Sequence, residues 1–308
     1  MVRGNGNMLK KKIVSIVIVS FNQEQFISAA FKSVLMQRLP TGMCAHIVVA
    51  DDKSTDNTLL KIKEIEKEWR NSEECEGLLP EDTPIQYLDA PSNLGMSQNY
   101  HRAFKNCEGE YIALLEGDDY WSSPYHLQQH IIFLDRHREC SMSMNNLTYH
   151  FYEKGEFLLQ EWMYKDEPHY VSTKEQISQG NQLGNMSACV LRNKCVKELP
   201  DDFYQLGFAD WMLGVMLSQQ GLLGLLKEST SVYRINMNGR WASKSDKEKC
   251  DTLLKCIDKY NGYQDGKYNV YWEAYKRKVL RMRRARPSDY LPPFLKSIIK
   301  ACIPPILR

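Results

Sequence analysis

The chain has 308 residues, 43% of them apolar and 25% charged, and 40 basic against 38 acidic side chains leave a formal net charge of +2. That composition is globular: it excludes a disordered chain, a collagen-like repeat and a coiled coil, and the near-neutral balance gives no global reason to expect nucleic-acid binding. The length suits one large domain or two ordinary ones, with a core that needs no disulfide or metal staple. Nine cysteines, none in CxxC spacing, read as scattered reduced thiols of a cytosolic protein. The polar N-terminus ends in Lys10, Lys11 and Lys12, and the apolar run after it is too short for a signal sequence. No stretch approaches the ~18 apolar residues that span a bilayer.

Strand and helix signals alternate through the first third. Residues 13–19 are a β-branched run, apolar enough for burial on both faces. Residues 23–37 place Phe26, Ile27, Ala30, Phe31, Val34 and Leu35 at helical spacing. Residues 46–50 predict a second buried strand and 56–69 a second helix, with Asp56 as its N-cap. A polar loop over 71–83 precedes a third strand at 85–88; a helix over 97–107, stopped by Gly109, leads to a fourth strand at 111–115. Strands separated by single helices imply βαβ units and a parallel sheet. Further on, the pattern predicts a helix over 126–138, strands over 141–152 and 185–191, a helix over 209–219 and a short strand over 231–235. From Lys244 it is helical and polar, with a basic cluster of Lys276, Arg277, Lys278, Arg281, Arg283, Arg284 and Arg286, then an apolar segment containing Leu291, Phe294, Leu295, Ile298 and Ile299. This order reads either as a solvated helix with a frayed tail or as a peripheral anchor on anionic lipid.

Ligands of an open parallel sheet bind outside the carboxyl ends of its strands. The residues after the four predicted strands are Ser20, Phe21 and Asn22; Asp51 to Asp56; Asn93, Leu94 and Gly95; and Glu116, Gly117, Asp118 and Asp119. All four sets fall on one rim, and together they are strongly acidic. So many carboxylates are costly unless a cation or a donor-rich ligand compensates. The chain has neither a GxGxxG nor a GxxxxGKS/T loop, which excludes a Rossmann or P-loop phosphate site. A phosphate bound here needs a metal to screen it, and adjacent Asp118 and Asp119 can hold a hard divalent ion while substrate phosphates complete its shell. Taken singly, each element also has a structural reading: Asp51-Asp52 as a turn or cap, Phe21 as core, Asp210 as a helix N-cap. His126 and His130, four apart, read as a helix-surface pair rather than a zinc site.

The order Val17-Ile18-Val19-Ser20-Phe21-Asn22, then Val48-Val49-Ala50-Asp51-Asp52-Lys53-Ser54-Thr55-Asp56, then Asn93-Leu94-Gly95, then Leu115-Glu116-Gly117-Asp118-Asp119-Tyr120-Trp121 resembles glycosyltransferase family 2. The likeness continues through residues 186–192, Ala209-Asp210-Trp211 and Val232-Tyr233-Arg234, covering 12–243. It implies an α/β protein of GT-A fold, with a mixed, mostly parallel sheet flanked by helices. A catalytic domain over 1–243 would comprise a nucleotide-sugar half, 12–121, and an acceptor half, 122–243, with a helical basic extension over 244–308.

The resemblance further implies an inverting enzyme that moves a sugar from a UDP-sugar to a hydroxyl of a saccharide or lipid-linked acceptor, in bacterial surface polysaccharide assembly. Phe21 would stack on the base, with Ser20 and Asn22 beside it. Asp52, with Asp51, would accept a hydrogen bond from uracil, Asp118 would face the ribose or sugar, and Asn93, Gly95 and Glu116 would also belong to the nucleotide-sugar site. Asp119 and Asp118 would ligate Mn or Mg, Asp119 the more directly, and Asp210 would be the catalytic base. Trp211, Arg234, Arg240 and Trp241 are the expected acceptor or phosphate contacts, and 236–244 is either a loop closing over the donor or a surface turn. The expected location is the cytoplasm or the inner face of its membrane. Two other readings stay open. One is a metal-dependent nucleotidyltransferase, disfavoured because residues 20–25 carry no base. The other is a non-catalytic nucleotide-sugar-binding protein, disfavoured by intact Asp118, Asp119 and Asp210.

Overall fold

Four strands pair in parallel at the start of the chain: β1 (Lys12–Ser20), β2 (Met43–Asp51), β3 (Ile85–Tyr87) and β4 (Tyr111–Glu116). The crossovers between them are α1 (Ile27–Leu35), α2 (Thr58–Arg70) and α3 (Met96–Lys105). Val14, Ile16, Val17 and Ile18 of β1 have no exposed surface, because helices cover both faces of this central strand. Residues 12–71, 79–207, 210–236, 239 and 241–284 are described by this computed structural model. The chain divides into two compact units, Met1–Met237 and Asn238–Arg308.

The first unit continues through β5 (Tyr120–Trp121), α4 (His126–Arg136), β6 (Cys140–Phe151), β7 (Glu156–Leu159), β8 (His169–Val171), α5 (Thr173–Ser178), β9 (Cys189–Arg192), α6 (Asn193–Lys197), α7 (Asp210–Ser218) and β10 (Leu222–Ile235). One ten-stranded sheet results, in the order β3-β2-β1-β4-β9-β6-β10-β5, with β7 added to β6 and β8 to β10. β9 runs antiparallel to both β4 and β6, while β6 and β10 are parallel to each other. This reversal matters for the site. With Ala113 opposite Val190, the turn that precedes β9 lies beside the carboxyl end of β4. On the far side Val232 pairs with Tyr120, so Tyr233 and Arg234 reach the same corner.

Three expectations are corrected. The strand expected over 185–191 is a 3-10 turn, Met186–Ala188, followed by the short β9. The short strand expected over 231–235 is the end of the 14-residue β10, whose register breaks between Leu226 and Ser231. The interruption falls on Lys227-Glu228, a polar pair that hid the strand's length. Finally, His126 and His130 are not a surface pair: both are fully buried. α4 turns them toward β6 and β10, where His126 Nδ1 pairs with Thr230 Oγ1 and His130 Nδ1 with Ser143 Oγ, each at 2.8 Å. A buried imidazole needs such partners.

The second unit contains α8 (Asp246–Tyr263) and α9 (Asn269–Arg284). Ser245 and Glu248 form a capping box that starts α8. Among the described residues, no helix is long and apolar enough to cross a membrane.

Candidate active site

The loops after β1 and β2 are stitched to each other. Asn22 takes a left-handed backbone, φ 52°, and its Oδ1 accepts Thr55 N–H at 2.8 Å, while its own N–H donates to Ser54 Oγ at 2.8 Å. Asp56 accepts N–H groups from Glu24 and Thr58 at 2.9 and 3.0 Å; the N-cap of α2 is Asn57, so the expectation shifts by one residue and Asp56 serves the first turn from just outside the helix. Asp51 is buried and accepts from Ser20 Oγ at 2.9 Å and from Ser54 N–H at 2.8 Å. Asp52, also buried, receives Leu94 N–H at 2.7 Å and Gly95 N–H at 2.8 Å, and Asn93 Nδ2 donates to its carbonyl at 3.2 Å. Asp52 therefore ties the turn that starts α3 to the end of β2. Phe21 projects from this corner with 43% of its surface exposed.

The carboxyl end of β4 carries the charge. Asp119 has no exposed surface. Its Oδ2 accepts Ser187 O–H at 2.7 Å and Asn185 Nδ2 at 2.9 Å, and its Oδ1 accepts Arg234 N–H at 2.8 Å. Ser187 also accepts Glu116 N–H at 3.0 Å, and its carbonyl accepts Trp121 Nε1–H at 2.9 Å. Glu116 and Asp118 are half-buried. Arg234 donates to the Asp118 carbonyl through Nη1. Its guanidinium carbon lies 4.8, 5.1 and 6.0 Å from the ring centroids of Phe26, Tyr120 and Tyr152, while its buried Nε has no partner. This cation is thus held inside an aromatic box. Through Nη1 it braces the backbone of the acidic turn.

Burial, then the charges of Asp118, Asp119 and Asp210, push the Glu116 carboxyl well above its usual range. The Asp119 carboxyl is pushed up to about 7 by burial and the Asp118 charge, against the pull of its three donors. Asp118 is raised by burial, with Arg234 and Gln23 opposing. Asp210 is raised by burial, with Trp211 N–H and Asn181 Nδ2, both at 2.9 Å, opposing. All four carboxylates also raise the Tyr233 phenol, after burial. Residues 116, 118, 119 and 210 are therefore one electrostatic cluster. Among the described residues, no three His, Cys, Asp or Glu side chains converge to hold a metal ion by themselves. The cluster fits a divalent ion that shares its shell with a ligand's oxygens.

Trp211 is a further correction. Its indole is buried and donates to the Gln176 carbonyl at 2.7 Å, so it packs α7 against α5 rather than facing an acceptor. Trp241 is exposed and belongs to the second unit; Arg240 and Arg286 lie outside the described residues. Sequence reasoning missed Asn181, Asn185, Ser187, Tyr152 and Tyr100, whose hydroxyl donates to Glu116 Oε1 at 3.3 Å. Of these, Asn185-Met186-Ser187 carried a signal: Asn185 Oδ1 accepts Ser187 N–H at 2.7 Å, the side-chain turn that an Asn-x-Ser order favours.

A mixed sheet with this order, and an acidic cluster at its carboxyl rim, define a GT-A fold. Solved structures agree. S. aureus TarS in complex with UDP-GlcNAc superposes with a TM-score of 0.59 at 17% identity, covering 90% of this chain and 77% of that one. Mannosyltransferase PcManGT from Pyrobaculum calidifontis, in complex with GDP-Man and Mn2+, gives 0.60 at 12% identity, covering 96% and 80%. The family described as Glycosyl transferase family 2 matches residues 15–197, and the chain belongs to it. An uncharacterized protein of Mycobacterium tuberculosis is 29% identical over 234 residues, 75% of this chain but only 61% of the relative's length. The Escherichia coli UDP-Glc:alpha-D-GlcNAc-diphosphoundecaprenol beta-1,3-glucosyltransferase WfgD is 32% identical over 35% of this chain and 36% of its own. The putative teichuronic acid biosynthesis glycosyltransferase TuaG of Bacillus subtilis is 28% identical over 45% and 48%.

Proposed function

We propose that this chain is a metal-assisted, inverting glycosyltransferase that moves a sugar from a UDP-sugar to a hydroxyl of a saccharide or lipid-linked acceptor in cell-surface polysaccharide biosynthesis. The observation that carries this reading is the cluster of Glu116, Asp118, Asp119 and Asp210, whose burial and mutual repulsion favour an incoming cation. Half-buried Asp118 and Glu116 would hold Mn or Mg together with the donor's phosphates. Asp119, closed from solvent and saturated by three donors, instead fixes the turn that aims them; this reverses the order the sequence suggests. When bound, the ion stabilises the negative charge that gathers on the departing diphosphate.

Asp210 takes the proton of the acceptor hydroxyl as the new bond forms. Its two bonds, from Asn181 and Trp211, set its direction. With Asp210 acting directly on the acceptor hydroxyl, the displacement is single and the anomeric configuration inverts as the diphosphate departs. Phe21 offers its exposed ring to the base. UDP is favoured by the ligand of TarS and the name of WfgD, and a polysaccharide setting by TuaG and WfgD. Seven described cysteines are free thiols, which suits the cytoplasm.

The test is turnover and binding across a panel of nucleotide sugars with Mn2+, with chelator, and with Asp210→Asn. Chelator should abolish turnover. Asp210→Asn should lower kcat by about 10²–10⁴-fold while UDP with Mn2+ still raises the melting temperature. Because burial raises the Asp210 carboxyl and a base must be ionised, the wild-type rate should climb with pH beyond the ordinary carboxylate range. Unimpaired Asp210→Asn removes the assigned base, and no metal-dependent binding or turnover with any donor removes the whole reading.

A further inference from the structure

The second unit carries a surface that sugar transfer does not use. Along α9, Trp272, Tyr275 and Val279 are buried at helical spacing. Two members of the basic cluster are tied to α8: Lys276 pairs with Asp258 and Arg283 with Asp251. The others face outward. Arg277, Arg281 and Arg284 stand at i, i+4 and i+7, with Lys278 beside them, and all four are exposed with no carboxylate of the described residues within ion-pair distance. Lys278 Nζ lies over the Tyr275 ring at 5.6 Å. Val270, 73% exposed, continues this stripe one turn pair earlier, Glu273 stands between, and Met282, 48% exposed, flanks it.

We propose that this face of α9 docks the protein on an anionic lipid surface. Three arginines aligned on one helical face, with Lys278 on its flank, complement a layer of phosphate headgroups, and exposed apolar side chains beside them suit the acyl boundary beneath. The sequence after Arg284 supplies further apolar residues, Leu291, Phe294, Leu295, Ile298, Ile299, Ile303, Ile306 and Leu307. A nucleic acid matches the cations but leaves those apolar groups without a role. Each basic residue near such a surface is worth roughly fivefold in partitioning, so four are worth roughly several hundredfold.

The test is co-sedimentation of the full chain with vesicles of mixed phosphatidylglycerol and phosphatidylcholine, and of phosphatidylcholine alone. The variants are Arg277→Gln, Lys278→Gln, Arg281→Gln and Arg284→Gln combined, and a charge-matched control, Lys63→Gln, Lys67→Gln, Lys194→Gln and Lys197→Gln, with helix content checked for both. Binding should need phosphatidylglycerol and weaken with salt. It should fall at least a hundredfold in the α9 variant and only a few-fold in the control. Equal binding to both vesicles, an unaffected α9 variant or an equally impaired control would overturn the proposal. So would tighter binding to an RNA or DNA oligonucleotide, lost in the same variant. None of these outcomes depends on the donor or on turnover.

Discussion

Asp119→Asn probes the cluster through stability rather than rate. Asp119 has no exposed surface, and its carboxyl is pushed from 3.8 up to about 7. An acid that binds its proton more tightly when folded weakens the fold as it ionises. The penalty is absent below about pH 4, where both states are protonated, grows from about pH 4 to 7, and is complete above that. Roughly three pH units at about 1.4 kcal/mol each make it about 4 kcal/mol. Asn cannot ionise, so the variant escapes the penalty. In exchange an amide nitrogen opposes either Arg234 N–H or the Ser187 and Asn185 donors, a cost of about 1–3 kcal/mol with little pH dependence. Urea unfolding at several pH values, in chelator, isolates the pH-dependent part. The stability of the variant minus that of wild type should climb by about 2–3 kcal/mol from about pH 5 to 8 and flatten above about pH 7. A flat or falling difference would refute the reasoning, since Asp119 would then ionise like a solvated carboxylate.

Arg234→Met should cost about 3 kcal/mol, from the lost bond to the Asp118 carbonyl and the lost aromatic box, with Arg234→Lys recovering part of it; urea unfolding reads both, and a neutral Met variant would show that the box contributes nothing. Gly95 has φ 81° and ψ 159°, a region open essentially to glycine. Gly95→Ala should therefore cost about 1–3 kcal/mol although nothing stands within 4 Å of an added Cβ. Hydrogen exchange at Leu94 and Gly95 should quicken as their bonds to Asp52 loosen, and unchanged protection there would mean that the turn does not depend on glycine.

Much of the fold was legible because its local signals agree. The β-branched run of β1, the apolar stripes of α1 and α2, and the Gly109 stop each match the structure within a few residues. The second half was harder for identifiable reasons. β7 has three exposed apolar residues and no alternation, β10 crosses a charged interruption, and the pairing of β9 between β4 and β6 leaves no local trace. The histidines of α4 show the same limit, since helical spacing says that they share a face but not that two strands cover it.

The candidate site divides along that line. A repeated strand-helix order by itself sends Ser20, Asp51, Glu116 and the residues after them to one rim, because parallel strands must all end on the same side. The acidity of that rim is therefore a property of the sequence. Which acid meets solvent and which is consumed internally was settled by long-range packing. The donors that saturate Asp119 come from the turn before β9 and from the end of β10. They arrive there because an antiparallel insertion and a return strand close on the end of β4. Hydrogen bonds between segments so far apart are decided by the assembled sheet, and they, rather than the local sequence, set two neighbouring aspartates apart.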